Sequence, residues 1–115
     1  MSKRSDKEFL RDIIEAVNRI EKYTRHIDYK QFLRDTKTQD AAIRNIEIIG
    51  ESVKNISVNL KQRHQDIEWK LIAGMRDRVI HFYFGVKLDV VWDVIKNNLP
   101  LFKSKVELIL KELKQ

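Results

Sequence analysis

Four polar side chains, among them an arginine and a histidine, fall close together in the second half of the chain: Arg76, Asp77, His81 and Tyr83. Arginine is a permanent cation whose planar fork of N–H donors binds phosphate oxygens, and histidine takes or gives a proton near neutral pH. An arginine and a histidine are the minimum set for cleaving a phosphodiester without a metal ion. This segment is therefore the first candidate for a functional site.

Helical periodicity places the members of this cluster on different faces. At about 100° per residue, Arg76 and Tyr83 lie roughly 20° apart, whereas His81 lies roughly 140° from Arg76. One regular helix does not easily direct Arg76 and His81 at one phosphate. The reach of the arginine, unwinding near Gly85 or a symmetric dimer would each bring them together. We favour the dimer, because a two-fold interface places the arginines and histidines of both copies in one cleft.

Asp77 precedes His81 by four residues. On a helix the two side chains would be neighbours, and the carboxylate could accept a hydrogen bond that fixes the tautomer of the imidazole and raises its basicity. The alternative, on composition alone, is that residues 76–78 form a solvated ion-pair face and that His81 and Tyr83 are packing residues. Spacing does not decide between these two interpretations.

Composition excludes several classes of site. The chain has no cysteine, so disulfides and thiolate metal or redox sites are excluded, and its three histidines are too far apart for helical ligand spacing. We therefore expect no metal and no cofactor. The charged N-terminus leads into no apolar run of signal or transmembrane length, and we expect a cytoplasmic protein without a membrane segment.

The net charge of +6 arises from 23 basic and 17 acidic residues. Such an excess favours polyanionic partners through neutralisation of phosphates. The excess is spread along the chain, as on the solvated faces of amphipathic helices, so charge alone favours an ordinary surface. Arg44, Lys54 and Lys70 could guide RNA, but the sequence does not place them on one surface.

Apolar residues at steps of three and four predict four helical segments. In chain order the stripes run over Phe9–Ile20, Ala42–Leu60, Trp69–Gly85 and Val91–Leu113. Ser5 and Glu8 form a capping-box pattern before the first, and Pro100 should kink or split the last. Sustained alternation of apolar and polar residues is absent, which argues against strands. We predict a single all-α domain over residues 1–115, a bundle of four to five helices with the last helix kinked near Pro100.

Histidines and tryptophans outside the cluster are expected to be structural. His26 and His64 lie among charged residues, which is typical of surface positions, and Trp69 and Trp92 begin apolar stripes and are expected in the core.

The arrangement Arg76, four residues, His81, one residue, Tyr83 resembles the Arg-x4-His-x-Tyr signature of the HepT family, toxin members of the HEPN superfamily. Further segments are similar to the family: residues 42–51, 67–69, 83–86, 90–92 and 97–100. The likeness covers about residues 5–113. Two positions depart from the family pattern. Phe82 stands where small or polar residues are common, and Lys87 stands where an aspartate often caps the last helix.

The resemblance implies an all-helical HEPN fold and a homodimer whose Arg-His pairs line a cleft on the two-fold axis. It implies a metal-independent endoribonuclease in which the ribose 2′-hydroxyl attacks the adjacent phosphorus and leaves a 2′,3′-cyclic phosphate. His81 would act as general base or acid, Arg76 would hold the phosphorane charge, and Asp77 would support the site.

The resemblance also implies a protein partner, an MntA-type nucleotidyltransferase that acts as antitoxin. In such pairs AMP is transferred to the signature tyrosine, which is Tyr83 in this chain, and the added phosphate would obstruct an anion-binding cleft. Two other functions stay open on the sequence. The chain could be a catalytically silent helical partner or regulator of a nucleotidyltransferase, or a bundle that binds nucleic acid without cleaving it.

Overall fold

The structure, a computed structural model, describes residues 4–79 and 87–113. Every regular element within these ranges is helical, which confirms the predicted all-α class. The elements are α1 (Asp6–Thr24), α2 (Tyr29–Leu33), α3 (Thr36–Asn55), α4 (Val58–Arg63), α5 (Trp69–Ala73), α6 (Met75–Val79), α7 (Leu88–Asp93), a π-helical segment (Val94–Asn98) and α8 (Leu99–Leu113).

Helix α1 begins at the predicted capping box. The Ser5 hydroxyl accepts from the Glu8 backbone N–H at 3.2 Å, and the Glu8 carboxylate accepts from the Ser5 backbone N–H at 3.0 Å. The second of these bonds, together with the Ser5 hydroxyl, holds the pKa of Glu8 below its usual value. Two otherwise unpaired backbone donors are thereby satisfied at the first turn.

Helix α3 is the centre of the bundle. It packs along α1 and also contacts α2, α5, α6 and α7, while α8 packs on the other side of α1. The buried stripe of α1 includes Ile13 and Val17, and that of α3 includes Ile46 and Ile49, all without solvent exposure. Burial of these stripes is the main source of stability for such amphipathic helices.

The second predicted helix does not continue to Leu60. It ends at Asn55, Ile56 is extended, and Ser57 caps a separate short helix, α4. Asp6 stabilises this break, because its carboxylate accepts from both the backbone N–H of Ser57 at 2.8 Å and its hydroxyl at 2.6 Å. Ile56 and Leu60 are both buried. The regular spacing of apolar residues therefore continues across the break and does not reveal it.

Helix α2 was absent from the sequence-based prediction. Asp28 and Gln31 form a second capping box at its start. Its Phe32 is fully buried, and the ring lies 5.1 Å from that of Trp92 on α7. This short helix therefore closes one end of the core, and a single turn with one core residue is too brief for periodicity to detect.

The third predicted helix begins at Trp69 as expected, but it is divided at Gly74 into α5 and α6. Its predicted continuation to Gly85 lies outside the described residues beyond Val79. The backbone N–H of Lys87 donates to the carbonyl of Val79 at 3.0 Å. The end of α6 and the start of α7 therefore lie side by side.

The final helical stretch departs from α-geometry just before Pro100, as predicted. Residues 94–98 form a π-helical turn, and the Leu99 N–H donates to the carbonyl of Val94, five residues back. Proline lacks a backbone N–H and its ring clashes with the preceding turn, which a wider turn relieves. Lys87 precedes α7 without a side-chain cap, as its departure from the family pattern suggested.

No helix within residues 4–79 and 87–113 combines the length and the apolar character that a membrane crossing would require.

Candidate functional site

Arg76, the arginine of the candidate cluster, lies on α6 with its side chain 49% exposed. Its Nε is 3.4 Å from Oε2 of Glu47 on α3, and its Nη1 is 3.4 Å from Oδ1 of Asp77. The guanidinium thus lies between two carboxylates, one from the neighbouring helix and one from its own. This leaves part of a five-donor fork open to solvent at the surface of the bundle.

Gly50 allows α6 to lie this close to α3. A β-carbon at position 50 would be 3.3 Å from the carbonyl oxygen of Ala73 and 4.0 Å from Cβ of Arg76. The first distance is tighter than ordinary van der Waals contact, so a larger residue would push the end of α5, which leads into α6, away from α3. Glu47 and Gly50 are three residues apart and therefore share one face of α3, which is the face beneath Arg76.

A surface groove of about 380 Å³ opens beside Arg76. It is lined by residues of α1 and α3 and by Arg4, which precedes α1. Its basic side chains are Arg4, Arg44 and Arg76, and its acidic side chains are Asp12, Glu47 and Glu51. Arginine side chains are suited to binding phosphate. The groove has as many carboxylates as arginines, so it is not a uniformly positive channel.

Asp77 faces the guanidinium of Arg76 rather than the interior, and its side chain is 76% exposed. Its predicted partner, His81, lies outside the described residues, as do Tyr83 and Phe82. The structure therefore brings Arg76 and Asp77 together. The Asp77–His81 pairing, the divergence of Arg76 from His81 and the modification of Tyr83 stay predictions.

The two histidines outside the cluster differ in exposure, and the two tryptophans contact the core. His26 is exposed as expected. The expectation for His64 was wrong, because its side chain is only 17% exposed, with Nε2 lying 3.5 Å from a carboxylate oxygen of Glu112. Its position in the turn that ends α4 places it against the end of α8, a contact invisible in local sequence. Both tryptophans pack on the core, Trp92 at its edge.

The three basic residues considered as guides for RNA do not share one surface. Arg44 lines the groove beside Arg76, whereas Lys70 lines a separate depression together with Lys61. Lys54 is exposed on the last turn of α3. Arg44 is therefore the member of this set that lies near Arg76.

Sequence reasoning overlooked Glu47 and Gly50 as parts of the site. Both belong to the stretch 42–51, which resembles the family but from which no residue was assigned to the candidate site. A glycine inside a strongly periodic helix is the signal that could have indicated a close backbone approach, and an acid three residues earlier lies on the same face.

This arrangement is an all-helical bundle with an arginine held at its surface beside a groove. The profile of the family described as "Ribonuclease HepT-like" matches residues 13–109. The chain belongs to the HepT-like ribonuclease family.

The sequence of this chain is similar to those of individual relatives over nearly their whole length. A protein of Thermococcus cleftensis named "Probable ribonuclease HepT" is 50% identical over 105 residues, covering 91% of this chain and 96% of the relative. A candidate RNase of Methanocaldococcus jannaschii, MJ0125, is 39% identical over 115 residues, covering 100% and 99%. A candidate RNase of Caldanaerobacter subterraneus, TTE0752, is 35% identical over 106 residues, covering 92% and 95%. No solved structure matches the chain.

Proposed function

We propose that this protein is a metal-independent RNA endonuclease, the toxin of a HepT/MntA-type pair, with Arg76 and His81 as its catalytic residues. Membership of the HepT-like ribonuclease family is the observation that carries the proposal. The exposed guanidinium of Arg76, held at the edge of a groove, supports it, because a phosphate-binding arginine needs both access and a fixed position.

The proposed reaction is an internal transesterification. One histidine removes the proton of a ribose 2′-hydroxyl, and the oxygen attacks the adjacent phosphorus. The bond from phosphorus to the 5′-oxygen breaks, and the departing oxygen receives a proton. The products are a 2′,3′-cyclic phosphate and a free 5′-hydroxyl. Arg76 neutralises the additional negative charge of the phosphorane, and His81 serves as general base or acid.

A homodimer is part of the proposal. General base and general acid must act on opposite sides of the phosphorus, and each chain contributes a single His81. A two-fold axis through the cleft would supply both histidines and both arginines to one phosphate. Asp77, which contacts Arg76, would then support the guanidinium as well as its proposed partner His81.

Regulation is proposed to act through Tyr83. An MntA-like nucleotidyltransferase would transfer AMP to its hydroxyl, which attacks the α-phosphorus of ATP and releases pyrophosphate. The attached nucleotide adds negative charge two residues from His81, where the substrate is itself a polyanion. Repulsion and bulk would together exclude RNA.

Expression in a bacterial host tests the toxin function. Wild-type protein is expected to arrest growth, and co-expression of the neighbouring nucleotidyltransferase is expected to restore it. The Arg76→Ala/His81→Ala double variant should permit normal growth at equal protein level, since it lacks both catalytic groups. Growth arrest that persists in the double variant would contradict cleavage and favour the catalytically silent partner instead.

A further inference from the structure

Glu47 is the residue of α3 that reaches Arg76. We infer that Glu47 is a positioning residue that fixes the orientation of the Arg76 guanidinium for the RNA cleavage proposed above, an inference that rests on that proposed function. The contact joins Nε of Arg76 to Oε2 of Glu47 at 3.4 Å, between residues 29 positions apart in sequence. It is therefore a contact made by the fold and not by local helix geometry.

The two carboxylates around Arg76 differ in how they restrain its guanidinium. Asp77 is adjacent to Arg76 on the same short helix, and its side chain is 76% exposed. Glu47 lies on the central helix, where its side chain is 35% exposed, and it shares a face with Gly50, at which an added β-carbon would lie 3.3 Å from the carbonyl oxygen of Ala73 at the end of α5. Of these two carboxylates, only Glu47 therefore ties the guanidinium to the central helix of the bundle.

The geometry of the arginine explains what this tie does. A guanidinium is planar and presents its donors in fixed directions, so a carboxylate on Nε restricts the rotation of the whole group. The terminal nitrogens are then held in one preferred orientation, with Nη1 beside Asp77. Errors of about 1 Å in such positioning cost on the order of a hundredfold in rate.

Glu51 provides a matched control for the charge of Glu47. It lies one helical turn further along α3, lines the same groove and carries the same charge. Removal of either acid makes the groove less negative and should leave the KM for RNA equal or lower. Of Glu47 and Glu51, only Glu47 forms an ion pair with Arg76 in the part of the chain that the structure describes. Only its removal should therefore lower kcat.

The test compares kcat and KM for cleavage of a labelled single-stranded RNA by wild type, Glu47→Gln, Glu47→Asp and Glu51→Gln. We expect Glu47→Gln to lower kcat by on the order of tenfold to a hundredfold without raising KM, and Glu47→Asp, which keeps the charge, to recover part of the loss. Glu51→Gln should retain the wild-type kcat. Thermal denaturation of each variant checks the fold.

The outcomes separate this inference from the proposed function. A wild-type kcat in Glu47→Gln, beside loss of cleavage in Arg76→Ala, would overturn the role of Glu47 alone. Should Glu47→Gln lose its fold, Glu47→Ala, which also removes the carboxylate, gives the decision, and a wild-type kcat in that variant overturns the inference. Absence of cleavage by the wild-type protein would overturn both the proposed function and the inference.

Discussion

Substitution of Arg76 by alanine is expected to lower kcat for RNA cleavage by on the order of 10²- to 10³-fold, and His81→Ala by on the order of 10²- to 10⁴-fold. The arginine is expected to neutralise charge that develops only in the transition state, and the histidine to move the proton of the 2′-hydroxyl. Single-turnover cleavage of a labelled RNA measures both. The fold should survive, because the Arg76 side chain is about half exposed and its ion pairs lie at the surface.

Arg78 supplies the matched control for Arg76. It lies two residues further along α6, is exposed and carries the same charge, but it points to a different side of the helix. The Arg78→Ala protein should therefore cleave RNA at a rate within a few-fold of the wild type, and any loss should appear as a higher KM. Equal losses in the two arginine variants would mean that general positive charge, and not a placed guanidinium, assists the reaction.

Tyr83→Phe is expected to abolish AMP transfer by the MntA-like nucleotidyltransferase. Phenylalanine lacks the hydroxyl that would attack the α-phosphorus of ATP, so no acceptor remains at this position. Intact-mass measurement after co-expression should show increments of AMP units on the wild-type chain and none on the variant. The variant should also stay toxic in the presence of the nucleotidyltransferase.

Tyr23 and Tyr29 are the controls for this modification. Both are exposed tyrosines, at 39% on α1 and 36% on α2. Tyr23→Phe and Tyr29→Phe should accept AMP as the wild-type chain does. Increments that persist in Tyr83→Phe and disappear in one of these variants would assign the acceptor elsewhere, and an unmodified wild-type chain would favour inhibition by binding alone.

Much of the fold could be predicted from the sequence because long apolar stripes dominate it. Three features depend on a local signal: the start of α1 after its cap Ser5, the start of α5 at Trp69 where an apolar stripe begins, and the irregularity before Pro100. The break at Ser57 depends instead on Asp6, far away in sequence. Periodicity does not register such a tertiary contact, and Ile56 keeps the apolar spacing intact.

Part of the candidate site could likewise be predicted from local sequence signals. Arg76 and Asp77 stand out by residue type and by their place in a signature, and the structure places them in contact. Glu47 belongs to another helix, and only the close approach at Gly50 brings it to Arg76. The burial of His64 against Glu112 likewise arises from packing of distant segments. Contacts between helices are the information that residue spacing within one helix does not contain.

In the proposed function, the chain itself cuts RNA with its own side chains and without a metal ion. The most direct measurement is the chemistry of the ends produced when purified wild-type protein acts on a defined RNA in excess chelator. We expect fragments with a 2′,3′-cyclic phosphate at one end and a free 5′-hydroxyl at the other, and none with Arg76→Ala/His81→Ala protein. Intact RNA under these conditions, with cleavage restored by a divalent cation, would contradict it.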